Sequence, residues 1–440
     1  MDQNTGIGSG NRPLIRIGPP EVRGDTLIVK CSYNKGLEPF LASGLFYAKY
    51  DFSLEDVPPS LLSIPALGLL APLGWLTGAD IVAGDTDKDY VESLSAVSGE
   101  FKKLYPAIPF SGALSANSVS TRSEWNGERC CVLYSGGVDS TCTLIRNMGK
   151  HPTALTVRGG PDLPLHDDRY WEIVRERTGP FARALAVESH LAETNALGMV
   201  NQQALRERFR SKLKTGWWEE LAFGLFLLSM SAPYTYHGRI GNVMIGSSNT
   251  AKDQVPWGST PMTDEKVRWG SVRVIHESYD LSRLDKLRQI VLPYAAGHGG
   301  AIPLRVCIGR RSLIGGSHLN CGECAKCMVV EMALLLSGAD AADWGFNISR
   351  PTLSHLRREL EEGRFGRSYD PATWAFIKAQ SKSPPAELVA KHQGLGEFLD
   401  WFAGWDERTK DTRKFIDRVA PPGSRRREIA RAGFGRKEGS

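Results

Sequence analysis

A double-glycine turn between an apolar strand and a helix is the feature of this sequence best suited to chemistry. Residues 130–134 are apolar and predict the strand, and the following loop reads Ser135-Gly136-Gly137-Val138-Asp139-Ser140. Two glycines let the backbone approach an anion, and the positive end of a helix dipole favours phosphate there. The hydroxyls of Ser135 and Ser140 can donate hydrogen bonds. Asp139 can cap the helix or help to hold Mg²⁺ on bound phosphates.

Half of the eight cysteines fall in one short segment. They are Cys307, Cys321, Cys324 and Cys327. Thiols at this spacing can turn toward one centre, and four thiolates suit tetrahedral Zn²⁺. An iron–sulfur cluster uses the same ligands, and free buried cysteines are a further alternative. We favour zinc, because one distant and three close ligands are typical of a closed structural site. The clustering favours metal ligation in a reducing compartment over a disulfide framework, so we expect a cytoplasmic protein.

The loop lacks the Gly-Lys-Ser/Thr ending of a Walker A motif and is not a Gly-x-Gly-x-x-Gly dinucleotide loop. Its six residues resemble the Ser-Gly-Gly-x-Asp-Ser signature of the PP-loop, or N-type ATP pyrophosphatase, superfamily. The resemblance implies ATP and Mg²⁺ bound to an α/β domain of the adenine nucleotide alpha hydrolase type. It also implies that ATP is cleaved between its α- and β-phosphates. A substrate oxygen takes the AMP, which a nucleophile then displaces.

The same resemblance makes the loop residues, with Asp139 and Ser140 as catalytic candidates, the phosphate site. It also implicates the ends of later strands in adenine and ribose binding. In this sequence those positions are Thr156 and Arg158 after the second strand and Gly246 and Ser247 after the fourth. Arg158 could stabilise phosphate charge, although an arginine at a strand end is more often a surface residue.

The loop and the cysteine cluster together resemble the 7-cyano-7-deazaguanine synthases, over about residues 129 to 330. Those enzymes convert 7-carboxy-7-deazaguanine and ammonia into the nitrile, using ATP and a zinc-bearing segment. Longer relatives occur in bacterial antiviral defence systems, where some are thought to join a deazaguanine to a protein partner. The resemblance therefore implies a 7-deazapurine substrate, and a protein substrate or defence-system partner as a second nucleophile beside ammonia.

His276 is the natural candidate for proton transfer, because it is the histidine of the segment after the fourth strand, and histidine is the side chain whose unperturbed pKa lies near neutrality. A histidine at the end of an apolar strand is also commonly satisfied by its neighbours. Both interpretations stay open at this point.

A PP-loop tRNA-modifying enzyme is the alternative function, in which a basic tail at residues 408–437 grips RNA. Acidic residues interrupt that tail, and no aromatic platform alternates with its basic residues. Nucleic acid is therefore not favoured as a partner. The formal net charge of +5 is mild and fits ordinary solubility.

The predicted secondary structure that positions the loop and the cysteines differs from one part of the chain to the next. Extended segments at residues 14–17, 26–31 and 44–51, followed by helical patterns, predict an N-terminal α+β accessory domain at 1–122. A polar segment at 111–128 predicts a linker.

The next part, residues 129–330, alternates short apolar runs with helical patterns. Strands are predicted at 130–134, 153–157, 184–187, 243–246 and 272–275, and helices at 141–148, 167–176, 217–230 and 281–290. This alternation predicts a doubly wound parallel sheet with its ligand at the carboxyl ends of the strands. Residues 331–440 are predicted as a helical region with the basic tail.

With 440 residues of ordinary apolar and charged content, the chain is neither disordered nor fibrous in type. Its most apolar stretch, residues 61–84, is interrupted by proline and glycine. A membrane-spanning helix needs about 20 apolar residues in succession. No membrane interaction is expected, and the start of the chain does not look like a secretion signal.

Overall fold

The structure is a computed structural model. It describes residues 12–121, 128–252, 256–307, 319–362, 374, 377–378 and 384–405. The chain forms two compact units, Met1–Arg305 and Val306–Ser440. The three-domain division stays a prediction; in the first unit the strands before and after residue 122 belong to one sheet.

Eleven strands build the sheet of the first unit. They are β1 Leu14–Arg23, β2 Thr26–Tyr33, β3 Leu45–Tyr50, β4 Asp80–Asp87, β5 Leu114–Val119, β6 Cys130–Leu133, β7 Thr153–Arg158, β8 Ser189–Thr194, β9 Asn242–Gly246, β10 Arg268–Trp269 and β11 Val272–Glu277.

Twelve α-helices of the described residues belong to the first unit and four to the second. They are α1 Pro59–Leu62, α2 Ile64–Thr77, α3 Lys88–Leu104, α4 Val138–Arg146, α5 Asp168–Ala184, α6 Ala196–Met199, α7 Gln202–Phe209, α8 Phe223–Met230, α9 Ala232–His237, α10 Pro261–Asp264, α11 Arg283–Asp285, α12 Leu292–Gly297, then α13 Ala325–Leu335, α14 Arg350–Glu361, α15 Ala386–Lys391 and α16 Leu395–Gly404. Two π-helical segments, Trp218–Ala222 and Lys286–Val291, lead directly into α8 and α12.

The sheet order is β10-β11-β9-β6-β7-β8-β3-β2-β1-β4-β5. Strands β11, β9, β6, β7 and β8 are all parallel to their neighbours within that group. The chain runs outward from β6 to β7 and β8 and then returns to place β9 on the other side of β6. The prediction of an α/β fold is confirmed, and this large, mostly parallel mixed sheet is compatible with a doubly wound arrangement.

Two predictions about individual segments were wrong. The strand predicted at 184–187 lies instead at β8, because α5 continues to Ala184. The segment predicted as a linker contains β5, which pairs in parallel with β4 at the edge of the sheet. In β8 and β5 the longest apolar run is two residues, Leu191-Ala192, so neither strand stands out in the sequence.

The N-terminal strands join the parallel group through a short antiparallel ladder between β3 and β8. Three residue pairs form it, with Lys49 opposite Glu193 at its centre. His190, in β8, lies beside this ladder. Its Nδ1 is 3.1 Å from an Asp51 carboxylate oxygen and its Nε2 is 3.1 Å from a Glu188 carboxylate oxygen. Because a neutral imidazole has only one N–H, both carboxylates are satisfied only by the protonated ring.

We predict that stability falls as the pH rises through the pKa of His190. Burial lowers this pKa, but Asp51 and Glu188 outweigh burial, so the pKa is raised. A raised pKa gives stabilisation that is complete below the unfolded value near 6.5 and is lost at higher pH. Because both carboxylates are partly exposed, the loss should be at most about 1 kcal/mol. Urea unfolding of the wild type and of His190→Gln at about pH 6 and about pH 9 checks this. An equal pH dependence in the two proteins would contradict it.

Among the helices of the described residues, none has the length and apolar character needed to cross a bilayer.

Candidate functional site

The predicted phosphate loop lies between the end of β6 and the start of α4. Gly136 has a φ of 76°, in the left-handed region that favours glycine. Gly137 is the extended N-cap residue of α4, and no side chain caps this helix. The first amides of a helix have no partner within the helix. The Gly-Gly turn is therefore followed directly by an uncapped helix N-terminus, the feature that binds anions in other proteins.

The two loop serines stabilise the turn together. Their hydroxyl oxygens are 3.1 Å apart, and the Ser135 amide donates to the Ser140 hydroxyl over 3.2 Å. Val138 is buried, so only its backbone is available to a ligand. The loop is thus ordered by its own side chains.

The position of the loop in the sheet follows from the strand order. Strand β6 has β7 on one side and β9 on the other, and the chain reverses its direction of travel between these neighbours. Ligands of open α/β sheets bind at such a switch point, beyond the carboxyl ends of the strands. The loop follows the first strand of this pair and Gly246 ends the second, as the sequence predicts.

Asp139 lies within a group of positive charges. Its two carboxylate oxygens are 2.6 Å from an Arg283 nitrogen and 3.2 Å from the Lys286 ammonium. Lys286 is fully buried and also donates to the Ser247 carbonyl. Burial raises the pKa of Asp139, but the two cations outweigh burial and lower the pKa to about 2. The loop therefore has a lysine beside it, although its own sequence contains none.

Arg305 stabilises the loop through hydrogen bonds to two loop carbonyls. Its Nε donates to the Ser135 carbonyl over 2.7 Å, and its backbone amide donates to the Gly136 carbonyl over 2.8 Å. One of its terminal nitrogens is 3.0 Å from an Asp162 carboxylate oxygen. These contacts occupy the Ser135 and Gly136 carbonyls, and the Ser135 and Gly137 amides donate to loop hydroxyls, so the donors that remain for a ligand are the first amides of α4.

Sequence reasoning missed all three of these basic residues. Arg283 and Lys286 were inside a predicted helix, and Arg305 follows it with no motif around it. They lie more than 140 positions from the loop residues that they contact. The available signal was weak, since two basic residues three positions apart occur on many helices.

Gly246 is required by the close approach of β9 to α4. A Cβ atom there would be 2.8 Å from the Asp139 carbonyl oxygen and 2.9 Å from the Thr143 hydroxyl. Its role in this structure is to let the helix pack against the strand end.

We therefore predict that Gly246→Ala displaces the start of α4. It should cost about 1–3 kcal/mol of stability, as overpacked sites do, and weaken nucleotide binding at the loop. Gly149→Ala is the matched control, because a Cβ at Gly149 meets nothing within 4 Å. Chemical unfolding and nucleotide titration of both variants check this. Equal behaviour of the two variants would contradict the packing role.

The other predicted nucleotide contacts are engaged with protein groups. The Thr156 hydroxyl donates to the Tyr134 carbonyl over 2.9 Å. Arg158 is buried and pairs with Glu193 over 2.7 Å and with Asp168. To reach a phosphate, Arg158 would have to exchange these partners.

His276, the proton-transfer candidate, lies near the carboxyl end of β11 opposite Ile245 of β9. Its Nδ1 donates to an Asp264 carboxylate oxygen over 2.8 Å, and the Ser259 hydroxyl donates to the same oxygen over 2.6 Å. Both the imidazole and the carboxylate are buried. The pairing fixes the ring, and in the neutral form Nε2 is then the proton acceptor.

The second unit contains the four-cysteine cluster. The ligand atoms of Cys307, Cys321, Cys324 and Cys327 all lie within 4.8 Å of one another. The Sγ atom of Cys327 is 3.9 Å from that of Cys321 and 3.3 Å from that of Cys324. Tetrahedral zinc with bonds of about 2.3 Å holds its sulfur ligands about 3.8 Å apart. The cluster can therefore bind a metal such as zinc.

The backbone around the cluster prepares the thiols for a cation. The amides of Glu323 and Cys324 donate to the Cys321 sulfur over 3.4 and 3.3 Å. The hydrogen bond between Cys321 and Cys307 lowers the pKa of the Cys307 thiol and raises that of Cys321. The lowered pKa favours thiolate at Cys307, the form that binds zinc.

Asn320 connects the segment of Cys307 to the segment that carries the other three cysteine ligands. Its side-chain oxygen accepts from the amides of Val306 and Cys307 over 2.9 and 3.2 Å, and its side-chain nitrogen donates to the Gly345 carbonyl. This role of Asn320 could not be predicted from the sequence, because it depends on a contact with Cys307, thirteen residues away.

The basic tail at 408–437 lies outside the described residues. Comparison of the chain with protein-family models, with curated proteins and with solved structures gave no match.

Proposed function

We propose that this chain is an AMP-forming, ATP-dependent ligase of the PP-loop type that acts on the carboxylate of a 7-deazaguanine, in the manner of the 7-cyano-7-deazaguanine synthases. The observation that carries the proposal is the uncapped N-terminus of α4, reached through the Gly136-Gly137 turn at the switch point between β6 and β9. This is where open α/β sheets bind phosphate-bearing ligands.

The charges beside the loop support an anionic ligand. Arg283 and Lys286 contribute two positive charges and Asp139 one negative charge. The group thus has a net positive charge, which adds to the helix dipole. Magnesium, when bound to the nucleotide, would neutralise part of the phosphate charge.

In the first proposed step, a carboxylate oxygen of the substrate attacks the α-phosphorus of ATP. A new P–O bond forms, the bond from the α-phosphorus to the bridging oxygen breaks, and pyrophosphate leaves. The amides at the start of α4 and the Ser135 and Ser140 hydroxyls donate to the phosphate oxygens as charge develops there. The product is an acyl adenylate.

In the second proposed step, an amine nitrogen attacks the acyl carbon, a C–N bond forms and AMP leaves. The amine loses a proton, which His276 is proposed to accept at Nε2 while Asp264 holds Nδ1. Ammonia and a protein amine are the two candidate nucleophiles, and a protein partner of a defence system would supply the second.

The four cysteines fit a structural zinc ion, held by Cys307, Cys321, Cys324 and Cys327. Four protein ligands leave no open position for a substrate, so the ion would supply folding energy to the second unit and no chemistry. The RNA-modifying alternative depends on the tail outside the described residues, so we do not propose it.

Mass spectrometry of complete reactions tests this proposal. The protein is incubated with ATP and 7-carboxy-7-deazaguanine, and with either ammonia or the proteins encoded beside it. We expect AMP together with a nitrogen-containing deazaguanine product or a deazaguanine–protein adduct. Neither AMP nor an altered deazaguanine in any mixture would reject the proposal.

A further inference from the structure

We propose that Asp139, itself held by the buried Lys286, positions Arg283 toward the phosphates of the nucleotide and is not a magnesium ligand. This inference rests on the proposed nucleotide site and assigns a different role to its acidic residue. It follows from the two ion pairs of Asp139, one to each carboxylate oxygen. Arg283 holds one oxygen and Lys286 holds the other.

Magnesium does not fit this carboxylate. The ion binds carboxylate oxygens at about 2.1 Å with near-octahedral geometry. On Asp139 it would lie beside a guanidinium and an ammonium that are themselves only 2.6 and 3.2 Å from the same oxygens. Like charges at such distances repel strongly where water is largely excluded. The ion would have to displace both cations, and Lys286 is completely buried.

The two cations have different environments and therefore different roles. Lys286 has no exposed side-chain surface and binds both Asp139 and the Ser247 carbonyl. It is a positioning residue that ties α4 to the end of β9. The Arg283 side chain is 15% exposed, and a guanidinium can bind phosphate through two parallel hydrogen bonds. Arg283 is the cation that reaches the nucleotide, with Asp139 fixing its orientation.

Calorimetric titration with α,β-methylene-ATP, which cannot be cleaved between its α- and β-phosphates, tests this assignment. Each protein is titrated once with Mg²⁺ and once with EDTA. Arg283→Gln should weaken binding about 10- to 100-fold, the value of a charge-assisted hydrogen bond, in both conditions. Arg146→Gln is the control, because Arg146 lies in α4, the helix of Asp139, but pairs with Glu277 and Asp280 instead. Its binding should match the wild type.

If Asp139 is instead a magnesium ligand, Arg283→Gln should have a different effect on nucleotide affinity. The substitution would free the Asp139 carboxylate for Mg²⁺, and the affinity with Mg²⁺ should be unchanged or higher. That result overturns the inference and leaves the proposed function intact. A second test is Asp139→Asn, which should leave the ratio of the Mg²⁺ and EDTA affinities at the wild-type value. Collapse of that ratio would also overturn the inference.

Failure of the proposed function gives a separate pattern. If the wild type binds the analogue in neither condition, the nucleotide site itself is rejected, and the phosphate role of Arg283 is rejected with it. The thermal stability of Lys286→Met then still tests whether Lys286 stabilises the fold through its ion pair with Asp139. We expect a lower Tm than that of Arg146→Gln, and an equal Tm would reject the positioning role of Lys286.

Discussion

Cys324→Ser should remove the bound metal and unfold much of the second unit. The wild type should contain about one zinc ion per chain, held by four thiolates. Because a metal site of this kind is not preformed in the unfolded chain, the binding energy becomes folding energy. Structural zinc has an apparent binding free energy of about 10–16 kcal/mol in small domains, so we expect a loss of more than about 5 kcal/mol. Cys324 is the least buried of the four ligands, so little of this loss would come from packing.

Metal analysis by mass spectrometry and thermal unfolding, with and without a chelator, measure this effect. Cys31→Ser is the matched control, because Cys31 is also a partly buried free thiol and lies outside the cluster. The control should keep its zinc and its Tm. A metal-free wild type whose stability equals that of Cys324→Ser would contradict the zinc site. Bound iron together with visible charge-transfer absorbance would show that the site holds an iron–sulfur cluster and not zinc.

Asp139→Asn should destabilise the first unit by about 3–5 kcal/mol, as breaking a buried ion pair does. The substitution leaves the fully buried Lys286 and the largely buried Arg283 without their carboxylate. The pKa of Asp139 is lowered to about 2. Its contribution is therefore complete above the unfolded value of about 4 and is lost as the pH falls from about 4 to about 2.

Urea unfolding across the acid range measures both parts of this prediction. Arg146→Gln should lose less than about 1 kcal/mol, because its ion pairs are long and partly exposed. An Asp139→Asn variant as stable as Arg146→Gln would show that the ion-pair cluster contributes nothing to folding.

The sequence predicted the parts of the site that are contiguous in the chain. The Gly136-Gly137 turn could be recognised because strand, turn and helix follow one another directly, and the close cysteines because their spacing is regular. Arg283, Lys286 and Arg305 were missed because their roles depend on contacts with residues far away in the chain. Only the folded sheet brings these side chains to the loop.

The pairing of distant strands in the sheet could not be predicted from the sequence either. The strands of the N-terminal segment were predicted from local alternation, but the ladder between β3 and β8 is a pairing across about 140 residues. Nothing local indicates that the two groups of strands share one sheet. Gly246 illustrates the point at a single residue, since its position was predicted but its packing against Asp139 was not.

Exchange of labelled pyrophosphate into ATP tests the central claim most directly. Adenylation of a carboxylate is reversible, so label should enter ATP when 7-carboxy-7-deazaguanine is present without an amine. No label should enter when the acid is omitted. The nucleotide released when an amine is added should be AMP. Release of ADP and orthophosphate, or no exchange by folded, zinc-loaded protein with the acid present, would contradict the account.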